Sequence, residues 1–452
     1  MVDAFRSSDV PLLSRANYRA EWTHTLGWGV FAGMVEGNTS SIVVAKTFHA
    51  DPLLVTVVWT TPMLANVLSV FWGALIRGKR RIPMFVMLAT LALLAFMSIG
   101  LTPVDGSAWA GWLFATQIGV ARIFVAAIVN VRTSMWTQNY PAAVRGRITG
   151  KLQGLRFTMT LVAAAAVSLL FNADPAHYRW AYPLVGFVGL LSLWPLRRVR
   201  VRGERSELRR HAASVEGGAN AHGMLANLRE AAQILRTDKK FARYCSAQHM
   251  LGSANFMVDP VLAVVITTQL KFGYFESGLL LDILPNIVLL MCVPLWARHF
   301  DKHGVLRFRV TNTMYWMAST LTAALALLCI ALGGVTAAWV GVPMLVFSRL
   351  INGVGRAGGS IAWNLGHLHF APPHAADLYM GIHVALTGLR GLIMPFVAVF
   401  LFTHVGWWSL MLATTFNFIA MLMFWRLARD YDDRSAEPAA PRLPSEVASD
   451  ES

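Results

Sequence analysis

Long apolar stretches, each separated from the next by a short polar segment, recur along almost the whole chain. A stretch of about 20 mostly apolar residues is long enough to cross a lipid bilayer as a helix. Twelve such stretches occur, with approximate bounds 25–46, 53–76, 83–102, 110–136, 152–171, 182–196, 244–269, 277–298, 310–332, 337–365, 378–402 and 407–427. The pattern predicts an all-α polytopic membrane protein with twelve transmembrane helices.

A basic, polar segment divides the twelve stretches into two sets of six. It carries twelve Lys or Arg residues, and so many charges cannot lie inside a bilayer. We therefore expect a linker between two bundles, and a polar tail that is disordered because its composition cannot form a core. The predicted parts are an N-terminal segment 1–24, a six-helix bundle 25–196, the linker 197–243, a second six-helix bundle 244–427 and the tail 428–452.

The composition supports a membrane protein, because 56% of the residues are hydrophobic and only 14% are charged. The formal net charge of +15 comes from short loops between apolar stretches, so we expect no nucleic-acid partner. Thirty Lys and Arg residues fall on the linker's side of the membrane, and only Lys46, Arg179 and Lys271 fall on the other side. By the positive-inside rule this places both termini in the cytoplasm and the chain in the inner membrane.

The two sets of six stretches repeat one another. Four matches occur in the same order: Met34-Val35-Glu36 with Met257-Val258-Asp259, Pro62 with Pro285, Arg122 and Trp136 with Arg349 and Trp363, and Gly154-Leu155-Arg156 with Gly388-Leu389-Arg390. The first two pairs share an offset of 223 residues. Internal repeats of this kind build transporter sites at a pseudosymmetric interface, so we expect two related six-helix bundles.

Twelve spans divided by a basic loop resemble the major facilitator superfamily. Its loop between the second and third spans is similar to GALIRGKRR at 73–81, although Arg77 stands where an acid is usual, and WARHFDKHGVLR at 296–307 restores the acid as Asp301. The resemblance implies a cytoplasmic gating role for Gly73, Arg77, Arg80, Asp301, Gly304 and Arg307. The family's arginine motif of the fourth span is degenerate here at 122–126 but nearly intact in the tenth span at 349–355, and its antiporter motif of the fifth span is missing.

Buried charges are the first candidates for chemistry, because a charge inside a bilayer is costly unless it is paired or hydrated. Glu36 and Arg122 lie near the middle of their spans and are predicted to pair, and Asp259 with Arg349 forms the counterpart. A carboxylate that exchanges between an arginine and a proton can couple transport to a proton gradient. The alternative interpretation is that these pairs are static bridges that hold the bundle together.

Six arginines within spans outnumber three acids, which favours an organic anion as solute because the guanidinium group binds carboxylates well. Arg356 is the arginine we expect to contact the solute. Arg132, Arg156 and Arg390 lie nearer the span ends, where such side chains reach the interface. Polar and aromatic residues predicted to complete a solute site are Asn38, Asn66, Asn130, Asn255, Trp363, Asn364 and His383.

These observations predict a secondary transporter that moves a small solute by alternating access, with proton coupling and a preference for organic anions. No phosphate-binding loop, catalytic nucleophile motif or metal motif occurs, so we expect no ATP-driven transport, no enzyme activity, no cofactor and no metal. The expected partners are the solute, protons and membrane lipids, and the expected state is a monomer. Efflux of hydrophobic compounds by the same fold, or a sensor or enzyme on this scaffold, are the alternatives.

Overall fold

The computed structural model describes residues 10–76, 78–103, 107–216, 224–372 and 376–430, and within them the regular structure is helical, with no β-strand. The all-α prediction is therefore confirmed. The first half contains α1 Arg15–Val35, α2 Thr39–Thr47, α3 Pro52–Ile76, α4 Arg81–Met97, α5 Ala108–Asn139, α6 Ala142–Ala173 and α7 Tyr178–Leu196. The linker contains α8 Glu204–Glu216 and α9 Met224–Thr237.

The second half repeats the helical pattern with several irregular turns. Its helices are α10 Lys239–Val264, α11 Tyr274–Gly278, α12 Leu284–Leu332, α13 Gly334–Thr336, α14 Val342–Leu365, α15 Ala376–Val405 and α16 Trp408–Asp430. Wider π-helical turns cover Val265–Gln269, Leu279–Ile283 and Ala337–Gly341. The helix α12 bends sharply at Gly304, where φ is 69°, so it contains two predicted spans.

Within the described residues, eight helical segments are long and apolar enough to cross a membrane. Because one of them, the 59-residue segment Tyr274–Leu332, bends at Gly304, the eight account for nine of the twelve predicted spans. The other three predicted spans coincide with α1 plus α2, with α3 and with α7.

The helices pack mainly within their own half, which gives two bundles of six spans. In the first bundle α1 lies against α6 and α7, and α3 lies against α5; in the second, α12 lies against α14 and α16, and α10 lies against α15 and α16. The two bundles meet where α3 contacts α15 and where α6 contacts α11. Glycines allow the α3–α15 approach, since a Cβ atom at Gly388 would lie 2.6 Å from the side chain of Val67.

We call the end of the molecule that carries α8 and α9 the linker side, and the opposite end the far side. Several hydrogen bonds join the bundles at the far side. Among them are Lys46 Nζ to the Phe272 carbonyl (2.6 Å), the bond between the Thr47 and Tyr274 hydroxyls (2.8 Å), and the Tyr274 amide to Asn172 Oδ1 (2.5 Å). The aromatic ring of Phe171 packs edge-on against that of Tyr274. The far side is therefore closed in this structure.

Candidate functional site

A cavity of about 280 Å³ lies between the two bundles, near the middle of the spans. Its wall includes three carboxylates and three arginines, together with several polar and aromatic side chains. The lining residues are Glu36, Gly37, Asn38, Ser41, Trp59, Pro62, Met63, Arg122, Arg156, Phe157, Thr160, Asp259, Asp282, Asn286 and Arg356. The surplus of arginine counted along the spans is thus absent from the cavity wall, where the formal charges balance.

The first predicted span is a broken helix, because α1 ends and α2 begins on either side of residues 36–38. The break has the sequence Glu-Gly-Asn, and glycine and asparagine are poor helix formers. In a bilayer, backbone carbonyls left unpaired by a break must find other donors. The Thr39 hydroxyl donates to the Gly33 carbonyl (3.1 Å), and the Ser40 hydroxyl donates to the Met34 carbonyl (2.9 Å).

Arg122 on α5 supplies the remaining donors at the break. Its Nε donates to the Val35 carbonyl (2.6 Å) and its Nη2 to the Gly37 carbonyl (3.2 Å). Its Nη1 donates to the Val58 carbonyl on α3 (2.6 Å). That carbonyl has no backbone donor, because Pro62, four residues later, has no N–H, and it accepts from the Thr61 hydroxyl (2.8 Å) as well as from Arg122. The buried Arg122 therefore replaces backbone hydrogen bonds that two neighbouring spans lack.

Arg349 on α14 does the same in the second bundle. Its Nε donates to the Leu280 carbonyl (3.0 Å) and its Nη2 to the Leu281 carbonyl (3.3 Å). These carbonyls precede Pro285, which cannot bond to Leu281 for the same reason. The repeat of arginine and proline seen in the sequence is thus a repeat of one structural arrangement.

Glu36 does not pair with Arg122 as the sequence suggested. It forms an ion pair with Arg156 on α6, because Arg122 is already directed at backbone carbonyls. The prediction that Arg156 reaches the membrane interface is therefore wrong. Its counterpart Arg390 is also buried, with 4% exposure, and donates to the Gln248 carbonyl (2.8 Å).

Asp259 on α10 binds two arginines of α14. Its Oδ2 lies 2.5 Å from Arg356 Nη2, and its Oδ1 lies 3.0 Å from Arg349 Nη1. The predicted pair of Asp259 with Arg349 is present. Arg349 is fully buried, whereas Arg356 is 22% exposed and faces the cavity. Each bundle thus presents one carboxylate–arginine pair to the cavity.

Asp282 links the two bundles across the cavity. It lies in the π-helical turn before α12 and accepts two hydrogen bonds from Asn38, one from the backbone N–H to Oδ2 (2.7 Å) and one from Nδ2 to Oδ1 (2.9 Å). The side-chain Oδ1 of Asn38 in turn accepts from Trp59 Nε1 (3.0 Å). We call these three residues the Asp282 clasp. The sequence showed that Asp282 is within a span, but not its partner.

The other predicted solute residues fall in several places. Of the predicted set, Arg356 and Asn38 line the cavity. Asn66 and Asn364 are exposed, and Asn130, Asn255 and Trp363 are partly buried. His383 is buried on α15, where its ring lies 5.8 Å from that of Trp363. Sequence reasoning missed Trp59, Met63, Phe157 and Thr160, since an aromatic, apolar or hydroxyl side chain in a span gives no signal of its own. It also missed Asn286, although this residue has the same amide group as the asparagines that were chosen.

The predicted gating residues lie at the two linker-side turns. Gly73 is in α3, Arg80 is exposed and precedes α4, and Arg77 lies outside the described residues. Gly304 forms the bend in α12, with Asp301 exposed before it and Arg307 after it. In the part of the chain that the structure describes, Asp301 forms no ion pair.

In the loop at 73–81, Arg77 stands where the family has an acid. Two acids of the linker helix α8 bind the start of α4, next to this loop. Glu204 Oε1 accepts from the backbone N–H of Arg81 at the start of α4 (2.6 Å). Glu207 pairs with the Arg81 guanidinium (2.6 Å) and accepts from Gln138 Nε2 on α5 (2.5 Å). The linker therefore caps α4 and fastens it to α5.

Comparison with known proteins agrees with this architecture. Residues 25–339 and 246–449 match the family model described as Major Facilitator Superfamily. Among curated proteins, none has a sequence that matches this chain.

Solved structures of transporters share the fold at low identity. A D-xylose–proton symporter is similar with a TM-score of 0.65 and 13% identity, over 91% of this chain and 97% of that one. The nucleoside transporter NupG gives 0.64 and 10%, over 91% and 99%. A POT family transporter in complex with 5-aminolevulinic acid gives 0.62 and 13%, over 96% and 99%. With two related six-span bundles around a central polar cavity, the chain belongs to the Major Facilitator Superfamily of membrane transporters.

Proposed function

We propose that the protein is a proton-coupled secondary transporter that carries a small organic anion through the central cavity. The observation that carries this proposal is the pair of carboxylate–arginine contacts on the cavity wall, Glu36 with Arg156 and Asp259 with Arg356. The far side is closed in this structure, and alternating access requires a second state in which it opens. The excess of Lys and Arg on the linker side supports a cytoplasmic position for that side.

The two ion pairs suggest how a proton and an anion move together. When the carboxylate of Asp259 takes up a proton, Arg356 loses its charged partner and is free to bind a carboxylate of the solute. The total charge of the site is unchanged, because the solute anion replaces the carboxylate that was neutralised. When the bundles move and the occupied site passes through an apolar environment, the free-energy cost is far lower for a site with no net charge than for a charged one. Glu36 and Arg156 offer the same exchange in the first bundle.

Two further buried arginines, Arg122 and Arg349, support the site in this proposal. Arg122 in the cavity wall and Arg349 behind Asp259 are both held by backbone carbonyls, so their charges stay in position while the other contacts change. The formal charges of the wall balance, so a net positive charge that attracts an anion arises when one of the wall carboxylates takes up a proton. Arg156 and Arg356 are the arginines with exposed surface, and we assign the direct contacts with the solute to them.

Transport into proteoliposomes tests the proposal. A panel of radiolabelled mono- and dicarboxylates is offered with and without an inward proton gradient. We expect uptake of at least one member to rise about tenfold with the gradient, since one pH unit corresponds to a tenfold concentration ratio at equilibrium. Arg356→Gln is expected to abolish this uptake, because the amide cannot neutralise a carboxylate.

Arg179→Gln is the matched control, since Arg179 is exposed at the far side. It is expected to leave uptake unchanged. If the protein instead moves lipophilic compounds at a rate indifferent to Arg356→Gln, the anion proposal is wrong and efflux of hydrophobic compounds becomes the better account.

A further inference from the structure

The structure assigns a binding site for a small inorganic anion to the interior of the second bundle, near its linker side. Two arginines are buried there, Arg309 of α12 and Arg390 of α15, with 1% and 4% exposure. In the part of the chain that the structure describes, neither forms an ion pair with a carboxylate. A buried charge without a counter-charge is costly, so a bound anion is the group that completes this site.

Arg309 uses little of its hydrogen-bonding capacity. A guanidinium group has five N–H donors. The Nη2 atom of Arg309 makes one long contact, 3.4 Å to the Tyr244 hydroxyl of α10, and its Nε has no hydrogen-bond partner. The Phe424 ring lies 5.9 Å from the guanidinium carbon, at the outer limit of a cation–π contact, and offers no lone pair. Donors of Arg309 are therefore available to an anion.

The neighbours of Arg309 add positive charge and a further donor. Arg390 donates to a backbone carbonyl and to a hydroxyl, so its charge meets neutral acceptors. His383 is 3% exposed and its Nε2 has no partner, and the charged groups that act on it are Arg309, Arg390 and His367. The carboxylate of Asp238 is engaged at the start of α10, where its oxygens accept from a backbone N–H and from a tyrosine hydroxyl. The site thus has an excess of positive charge.

The internal repeat shows which negative charge the second bundle lacks. The offset of 223 residues that relates Pro62 to Pro285 also places Tyr244 at the position of Glu21. Glu21 is a 4% exposed carboxylate that lines a small cavity of the first bundle together with Arg132. The first bundle therefore has a carboxylate beside its buried arginine, whereas the second has a phenol at the equivalent position.

A second difference between the halves points the same way. Arg390 is the counterpart of Arg156, which forms an ion pair with Glu36. Asp259, the counterpart of Glu36, is bound instead to the two arginines of α14. Arg390 is thus left without the acid that its counterpart has. Two negative charges of the first bundle have no equivalent here, and we infer that a bound anion takes their place.

Chemical unfolding of the full-length protein in mixed micelles tests this inference. Sodium gluconate is replaced stepwise by sodium chloride or by sodium phosphate at constant ionic strength, since gluconate is too bulky for a buried site. An anion that binds only the folded bundle stabilises it by mass action. We expect a saturable response in which the unfolding equilibrium constant falls about tenfold at ten times the dissociation constant. The more effective of the two probes shows whether the site prefers a halide or an oxyanion.

Three variants separate this site from a general effect of salt. Arg309→Gln should remove the response to the anion, because the charge that attracts it is gone. Arg426→Gln, an exposed arginine of α16 at the same side, is the matched control and should keep the response. Tyr244→Glu supplies the carboxylate that the first bundle has at this position, so its stability should no longer depend on the anion. Broadening of the chloride NMR signal by the wild type reports binding even if a variant does not fold.

The inference is overturned if the wild type is equally stable in gluconate, chloride and phosphate, because water would then fill the site. A response that Arg309→Gln retains in full, or one that rises without saturation in every variant, would overturn it as well. These measurements do not depend on transport. Failure of the carboxylate panel with an intact anion response would therefore overturn the proposed substrate alone, and the reverse result would overturn the anion site alone.

Discussion

The buried arginine on α5 shows how one side chain can compensate for two irregular helices. Arg122 donates to the carbonyls of Val35, Gly37 and Val58, which the broken first span and Pro62 leave without backbone donors. Each buried acceptor that loses its partner costs about 1–3 kcal/mol. These contacts of Arg122 hold two spans of the cavity wall together.

We expect Arg122→Ala to lower the free energy of unfolding by about 2–4 kcal/mol, because the Val35 and Gly37 carbonyls lose their side-chain donor and the Val58 carbonyl keeps only the Thr61 hydroxyl. Chemical unfolding in mixed micelles measures the change. The same substitution in a Pro62→Ala background should cost about 1 kcal/mol less, since the new N–H of residue 62 can bond to the Val58 carbonyl. Equal costs in both backgrounds would show that the proline does not create the need for the arginine.

At the scale of elements, the linker helix α8 is part of the first bundle. Glu204 and Glu207 hold the start of α4, and the linker residue Arg200 exchanges two hydrogen bonds with Asn17 of α1 (2.8 and 3.1 Å). The basic linker predicted between the two bundles is therefore fastened to the first bundle along its first part. The acid that the loop before α4 lacks is supplied from a distant position in the sequence.

We expect the double variant Glu204→Gln and Glu207→Gln to loosen α8, because the amides neither pair with Arg81 nor cap the start of α4 as strongly. Hydrogen–deuterium exchange of α8 should accelerate about fivefold, the effect of roughly 1 kcal/mol on local opening. Glu230→Gln on the exposed face of α9 is the control. Unchanged exchange of α8 would mean that these contacts do not hold the linker.

For the whole molecule, the closed far side predicts a cross-link between the bundles. A Cβ atom at Gly278 would lie 3.8 Å from the Cβ atom of Ser168 on α6, which is about the mean separation in disulfides. Ser168→Cys with Gly278→Cys should therefore oxidise readily in a background without native cysteines. The disulfide would fix the far side in its closed state.

We expect oxidation to reduce net transport to near background and dithiothreitol to restore it, because alternating access requires the bundles to part at this end. Proteolysis in the linker followed by electrophoresis reports whether the halves are linked. Ser168→Cys alone should transport at the same rate before and after oxidation. Full-rate transport by completely cross-linked protein would show that the far side need not open.

The low identity of the similar structures, 10–13%, shows that this arrangement of spans tolerates nearly complete replacement of side chains. The fold depends on apolar length and on close helix contacts, which many sequences provide. The choice of solute depends on a few cavity side chains. Similarity of fold therefore does not identify the substrate of this chain.

The sequence by itself determined the spans, the division into halves, the repeat and the buried charges, because apolar length and charge are local properties of a chain in a bilayer. Only the tertiary structure decided which groups meet. Glu36 pairs with Arg156 and Asp282 with Asn38 because the rotation and depth of each helix follow from its packing, and a span's composition contains neither. The break at residues 36–38 likewise leaves backbone carbonyls without donors, and Arg122, which is distant in the sequence, supplies them. The sequence pattern does not show that partner.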